Sequence, residues 1–286
     1  GFFHVFTHAF FKACLFLGSG SVIHALHHEQ DMRHMGGLRK YMPVTFWTFL
    51  IATFALTGIP GLAGFFSKDE ILWRAYSSPH GSPILWLIGT ITAGLTAFYM
   101  FRQVFMVFFG EYRAAHGDAH GHADEHSPHA HGHGSHHPHE SPALMTIPLV
   151  LLAFGSLVVG YLNVPEALGG HELFSTWLAP ILSGGGEAAH AAQAAHGVAA
   201  ELVHDAEHVA HGLEHDPMEY ILMAFSVAVA LSGVFLAWLT YERKKVDPSI
   251  FSEAWGGVPY RLVLNKYYVD EFYEATVIRG TLALSR

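Results

Sequence analysis

Residues 43–67, 81–101, 141–165 and 220–241 each run without a single Asp, Glu, Lys, Arg or His. A helix needs about 20 apolar residues to cross a hydrocarbon core, so each stretch is long enough. A fifth stretch, residues 2–23, is equally apolar but contains His4, His8 and Lys12. Only helices and closed barrels satisfy every backbone polar group in lipid. The alternation of barrel strands is absent. The expected fold is therefore all-α: a polytopic membrane helix bundle with about five transmembrane helices.

Composition supports this. Charged residues make up 14% of the chain and hydrophobic ones 51%, against about 25% charged in an ordinary soluble domain. The formal net charge of -9 argues against a nucleic-acid binder, which needs a basic face. The one cysteine, Cys14, cannot form an internal disulfide, and no zinc-type Cys/His frame occurs.

Lys and Arg placement orients the bundle. Arg33, Arg39, Lys40, Arg113, Arg243, Lys244 and Lys245 fall in segments on one side, whereas 77–82 and 166–217 contain neither residue. The basic side is expected in the cytoplasm. The organisation expected is three transmembrane helices over 1–112, a His-rich cytoplasmic loop over 113–140 and a fourth helix over 141–165. An acidic, His-containing outer loop over 166–217, a fifth helix over 218–242 and a cytoplasmic segment over 243–286 follow. The chain starts inside helical apolar sequence, which suggests a fragment.

The loops carry most of the histidines. Residues 116–139 hold ten of them at irregular spacing among Gly and Pro, which suits a solvated, low-complexity segment better than a fixed metal site. His204, His208, His211 and His215 recur at helical spacing, so a short outer helix is expected there, with a metal-binding face as the less favoured reading.

Charge at membrane depth needs a reason, because an ionisable group there costs about 2.5–3.5 kcal/mol on insertion scales. His4, His8 and Lys12 fall within about 80° of one another on a helix and span about 12 Å of its axis. Thr7, Ser19 and Ser21 add hydroxyls. The next apolar stretch contains Gly58, Pro60, Gly61 and Gly64, and Pro60 lacks a backbone donor. A discontinuous helix is expected, of the kind tolerated where it lines a cavity. Lys68, Asp69 and Glu70 follow the break, and Glu70 is placed to pair with Arg74 at i, i+4. Histidine titrates near neutrality, and a lysine removed from water exchanges its proton more readily. His4, His8, Lys12, Lys68 and Asp69 together suggest a proton or cation relay.

These same residues carry a resemblance. The runs Thr7-His-Ala-Phe-Phe-Lys-Ala13, Gly18-Ser-Gly-Ser-Val-Ile-His24, His28-Glu-Gln-Asp31 and Met35-Gly-Gly-Leu-Arg39 are one set of motifs. Gly64-Phe-Phe-Ser-Lys-Asp-Glu70, Pro138-His-Glu-Ser-Pro142 and Asn265-Lys-Tyr-Tyr-Val-Asp-Glu-Phe-Tyr273 complete them. The sequence resembles the C-terminal half of the antiporter-like subunit L (chain 5) family of respiratory complex I, NADH-quinone oxidoreductase. The resemblance implies the second half of an inverted-repeat antiporter-like fold in the bacterial inner membrane. It implies His4, His8 and Lys12 on a central hydrophilic axis, and Lys68, with Asp69 beside it, at a broken helix linked to proton exit.

It further implies no cofactor in this subunit, with NADH, FMN, iron–sulfur clusters and quinone in partner subunits. The partners implied are other membrane-arm subunits, above all the adjacent antiporter-like one, and the lipid bilayer. An earlier half and a lateral helix would lie outside this sequence. A multisubunit Na+/H+ antiporter subunit is the nearest rival. A metal-handling membrane protein is weaker, because lysine at membrane depth repels cations, and the charged stripe argues against a plain anchor.

Overall fold

A computed structural model describes residues 1–113, 138–165, 168–182, 217–253 and 257–284. The described residues are helical or irregular, with no strand among them. The His-rich tract up to residue 137 and the stretch holding His204, His208, His211 and His215 lie outside them.

The chain divides into two units, Gly1–Glu242 and Arg243–Arg286. The first begins with α1, Phe2–Ala25, which buries Phe3, Thr7, Phe11, Cys14, Gly18, Ser21 and Val22 at three- and four-residue spacing. That face packs on α2, Pro43–Thr57, and on α5, Ala143–Val158. Pro43 starts α2 at a position where a missing N–H costs nothing. Phe11, Phe46, Phe49 and Leu149 of these helices form one core with Leu38, Met42, Val104 and Phe108.

The expected break is present. α2 ends at Thr57 and α3, Ala63–Ser77, begins after five intervening residues. Gly58 takes the left-handed conformation at φ 78°, its N–H donates to Ala55 O, and Ile59 N donates to Phe54 O. This is the Schellman ending, for which glycine has no Cβ penalty. Pro60 then prevents the helix from resuming at once. Gly64 explains how α3 restarts so close by: a Cβ there would lie 1.8 Å from Ala55 O.

α4, Pro83–Phe108, starts with Ser82, whose side chain accepts the Leu85 N–H. It packs along α7, Pro217–Ala237, which ends in a wide π-type turn over Trp238–Glu242. α5 continues as a 3-10 stretch, Val159–Asn163. Among the described residues, four spans are long and apolar enough to cross a membrane: Phe2–Ala25, Pro83–Phe108, Ala143–Asn163 and Pro217–Glu242. The broken pair α2/α3 is the fifth element of the polytopic bundle. Large apolar side chains face outward from it, Ile84 at 68% exposed, Leu144 at 87% and Phe154 at 62%, as lipid as the solvent allows.

Part of the expected outer loop lies among the described residues. α6, Leu173–Leu182, occupies it, with Phe174 against the rings of Phe3 and Phe6. Asn163 Oδ1 accepts from both the amide and the hydroxyl of Ser175, which fixes where α6 starts. In the second unit, short helices α8 to α11 span Ser249–Glu253, Val258–Leu264, Val269–Tyr273 and Arg279–Leu284. Lys266 and Asp270 form an exposed ion pair there at 2.9 Å.

Candidate functional site

The start of α3 gathers several polar groups of the bundle. Ser67, Lys68 and Asp69 are consecutive, so their side chains leave the helix about 100° apart, and each meets a different element. Ser67 Oγ lies 2.9 Å from His4 Nδ1 and 3.1 Å from Thr7 Oγ1, both on α1. Lys68 Nζ donates to Thr57 O, the last carbonyl of α2, at 3.2 Å. Asp69 Oδ1 accepts from Ser226 Oγ on α7 at 2.8 Å.

The break accounts for the lysine. The last four carbonyls of a helix lack intrahelical donors, and that end carries the negative pole of the helix dipole. Thr57 O is such a carbonyl, and the ammonium of Lys68 supplies both a donor and a positive charge to it. Gly58 leaves room for the approach, since a Cβ there would sit 3.3 Å from Lys68 Cδ. Glu70 pairs with Arg74 at 2.8 Å, as their spacing predicts.

On α1, the rings of His4 and His8 are 6.1 Å apart, centroid to centroid, and Phe11 stands edge-on to His8. Lys12 is not gathered into this cluster. It is exposed, and its Nζ lies 5.5 Å from the Phe16 ring centre. The structure thus joins His4, Lys68 and Asp69 around α3, keeps His8 one turn from His4, and turns Lys12 outward. Thr7 belongs to the cluster. Ser21 instead bonds Thr45 and Ser141 at the far end of α1, at 2.9 and 2.7 Å.

Two residues of the site escaped the sequence reading. Ser67 stood inside a quoted motif, and a hydroxyl next to the lysine was the available signal. Ser226 had no local signal, because 157 residues separate it from Asp69. Among the described residues no group of three or more His, Cys, Asp or Glu is placed to hold a metal ion.

The family described as NADH:quinone oxidoreductase/Mrp antiporter, transmembrane, matches residues 1–96, which include the whole α1–α3 site. Chain 5 of the NAD(P)H-quinone oxidoreductase of Picosynechococcus is 43% identical over 302 aligned positions, covering 100% of this chain. Subunit L of the NADH-quinone oxidoreductase of Neisseria meningitidis is 41% identical over 99% of it. The chain is a homologue of subunit L and chain 5. That of Rhodobacter capsulatus is 37% identical, again over 99% of this chain. The chain spans 40%, 39% and 43% of the length of these three relatives.

Proposed function

We propose that this chain is part of a proton-translocating membrane subunit of an NADH-quinone oxidoreductase, and that His4, His8, Lys12, Lys68 and Asp69 are stations of its proton pathway. The observation that carries the reading is the convergence of Ser67, Lys68 and Asp69 on three separate elements at a helix break. A protonated lysine there is held by a carbonyl with no other helical donor. When Lys68 gives up its proton, that contact loses its charge and weakens, and the break is freer to change shape. His4 and His8 accept or donate protons near neutral pH, and the Ser67 and Thr7 hydroxyls link His4 to α3.

In this reading the Arg- and Lys-bearing segments face the cytoplasm of a bacterial inner membrane, and the α3 site opens toward the outer side. Lys12, exposed on α1, faces the part of the subunit beyond these 286 residues. The redox groups, NADH, FMN, iron–sulfur clusters and quinone, reside in partner subunits. Their reaction drives this site electrostatically through the neighbouring antiporter-like subunit.

The test uses the full-length protein in its own membrane, with Lys68→Ala. NADH-driven acidification of inverted vesicles is followed beside NADH oxidation. The expected result is lost pumping with the complex still assembled. The description of the matched family names an Mrp antiporter as well, which keeps a Na+/H+ antiporter subunit as the second reading. Intact NADH-driven pumping with lost Na+ tolerance would select it.

A further inference from the structure

Asp69 is held at one oxygen only. Oδ1 accepts the Ser226 hydroxyl at 2.8 Å, while Oδ2 is buried with no hydrogen-bond partner among the described residues. Ser226 is itself 5% exposed. Its Oγ also lies 3.0 Å from Met223 O, one turn back on α7. A serine hydroxyl has one proton to donate, so it serves one of these two acceptors at a time. Asp69, Glu70, Trp73, Trp86, Glu219 and Ser226 line one cleft between α3, α4 and α7.

We propose that Ser226 is a positioning residue for Asp69, which makes α7 the element that senses the charge of the α3 site. With Asp69 ionised, the Ser226 proton points to Oδ1 and ties α7 to α3. Once Asp69 binds a proton, the carboxyl becomes a poorer acceptor, and the Ser226 proton turns to Met223 O. No covalent bond of Ser226 changes, and the only proton gained is the one on Asp69. The effect on pumping rests on the proton-pathway reading above; the contact between the two side chains does not.

The experiment uses the full-length protein in its assembled membrane complex and reads two quantities. The first is modification of Asp69 at neutral pH by a hydrophobic carbodiimide, which attacks protonated carboxyls, quantified by peptide mass spectrometry. Ser226→Ala is expected to raise it about tenfold, the weight of one hydrogen bond to a charged acceptor, and Ser226→Thr to return it to the parent level. The second is the ratio of NADH-driven proton uptake to NADH oxidation. Ser226→Ala is expected to lower it severalfold, and Ser226→Ala with Asp69→Asn to match Asp69→Asn alone.

Unchanged modification in Ser226→Ala overturns the proposal. So do losses that multiply in the double variant, which would make Ser226 a packing residue only. Normal pumping in Lys68→Ala removes the proton-pathway reading, while the modification result still decides the role of Ser226.

Discussion

Glu140 caps α2 from across the chain: its Oε2 accepts the Val44 amide at 2.7 Å. The same carboxylate accepts the Thr45 hydroxyl at 2.6 Å through Oε1, and the Thr45 amide at 3.3 Å through Oε2. It thus does for α2 what a capping side chain normally does from the preceding residue, and places a negative charge at the positive end of the helix. Glu140→Ala is expected to destabilise the bundle by about 1–2 kcal/mol. Thermal unfolding of the purified full-length protein checks this, and an unchanged midpoint would show that water replaces the cap fully.

The α2–α3 break leaves no room for a side chain at Gly64. Gly64→Ala puts a methyl group against Ala55 O, so α3 has to shift. Overpacking of this kind costs about 1–3 kcal/mol. The variant is expected to assemble poorly. Full assembly at the parent level would contradict the close approach.

Ser67 couples α1 to α3 through His4 and Thr7. Ser67→Ala is expected to reduce NADH-driven pumping without affecting assembly, because it removes one oxygen and leaves the packing. Pairing it with His4→Gln is expected to add little to either single change, since groups in one hydrogen-bond network are not additive. Independent losses in the double variant would place the two residues on separate routes.

The loop after α1 gives a pH dependence outside the membrane. The Asp31 amide and the His34 ring hold the Glu29 carboxyl below the usual range. The Arg33 side chain, then its amide, does the same for Asp31. A carboxyl with a lowered folded-state pKa stabilises above its unfolded pKa and loses that contribution as pH falls through the folded value. The amides of Gln30, Asp31 and Arg33, which donate to these carboxylates, are therefore expected to stay protected at pH 5–7. Protection should disappear only once the pH falls below the usual carboxylate range. Hydrogen exchange, corrected for intrinsic rates, tests it, and loss of protection between pH 7 and 5 would refute it.

The bundle was legible because lipid leaves few alternatives. Uncharged runs mark spans, and Gly58, Pro60, Gly61 and Gly64 mark the break without any knowledge of the neighbours. Glu70 with Arg74 was legible for the same reason, since i, i+4 contact is a local property. Lys12 shows where local geometry stops. Its helical angle puts it near His4 and His8, but its side chain turns toward Phe16 and out of the bundle. Ser226 and Glu140 depend on packing between elements far apart in sequence, and no periodicity reports that. α6 was missed because a short apolar helix between acidic and His-rich segments looks like loop until Asn163 and Phe174 anchor it.

Ser67, Lys68 and Asp69 are spokes on one axle. Because they are consecutive on one helix, any rotation of α3 that releases one swings the other two through the same arc. Removing one residue between Gly64 and Ser67 would turn all three by about 100° and point each at the wrong neighbour, even with every side chain still present. Spacing from the break is thus under tighter constraint here than the identity of any single group.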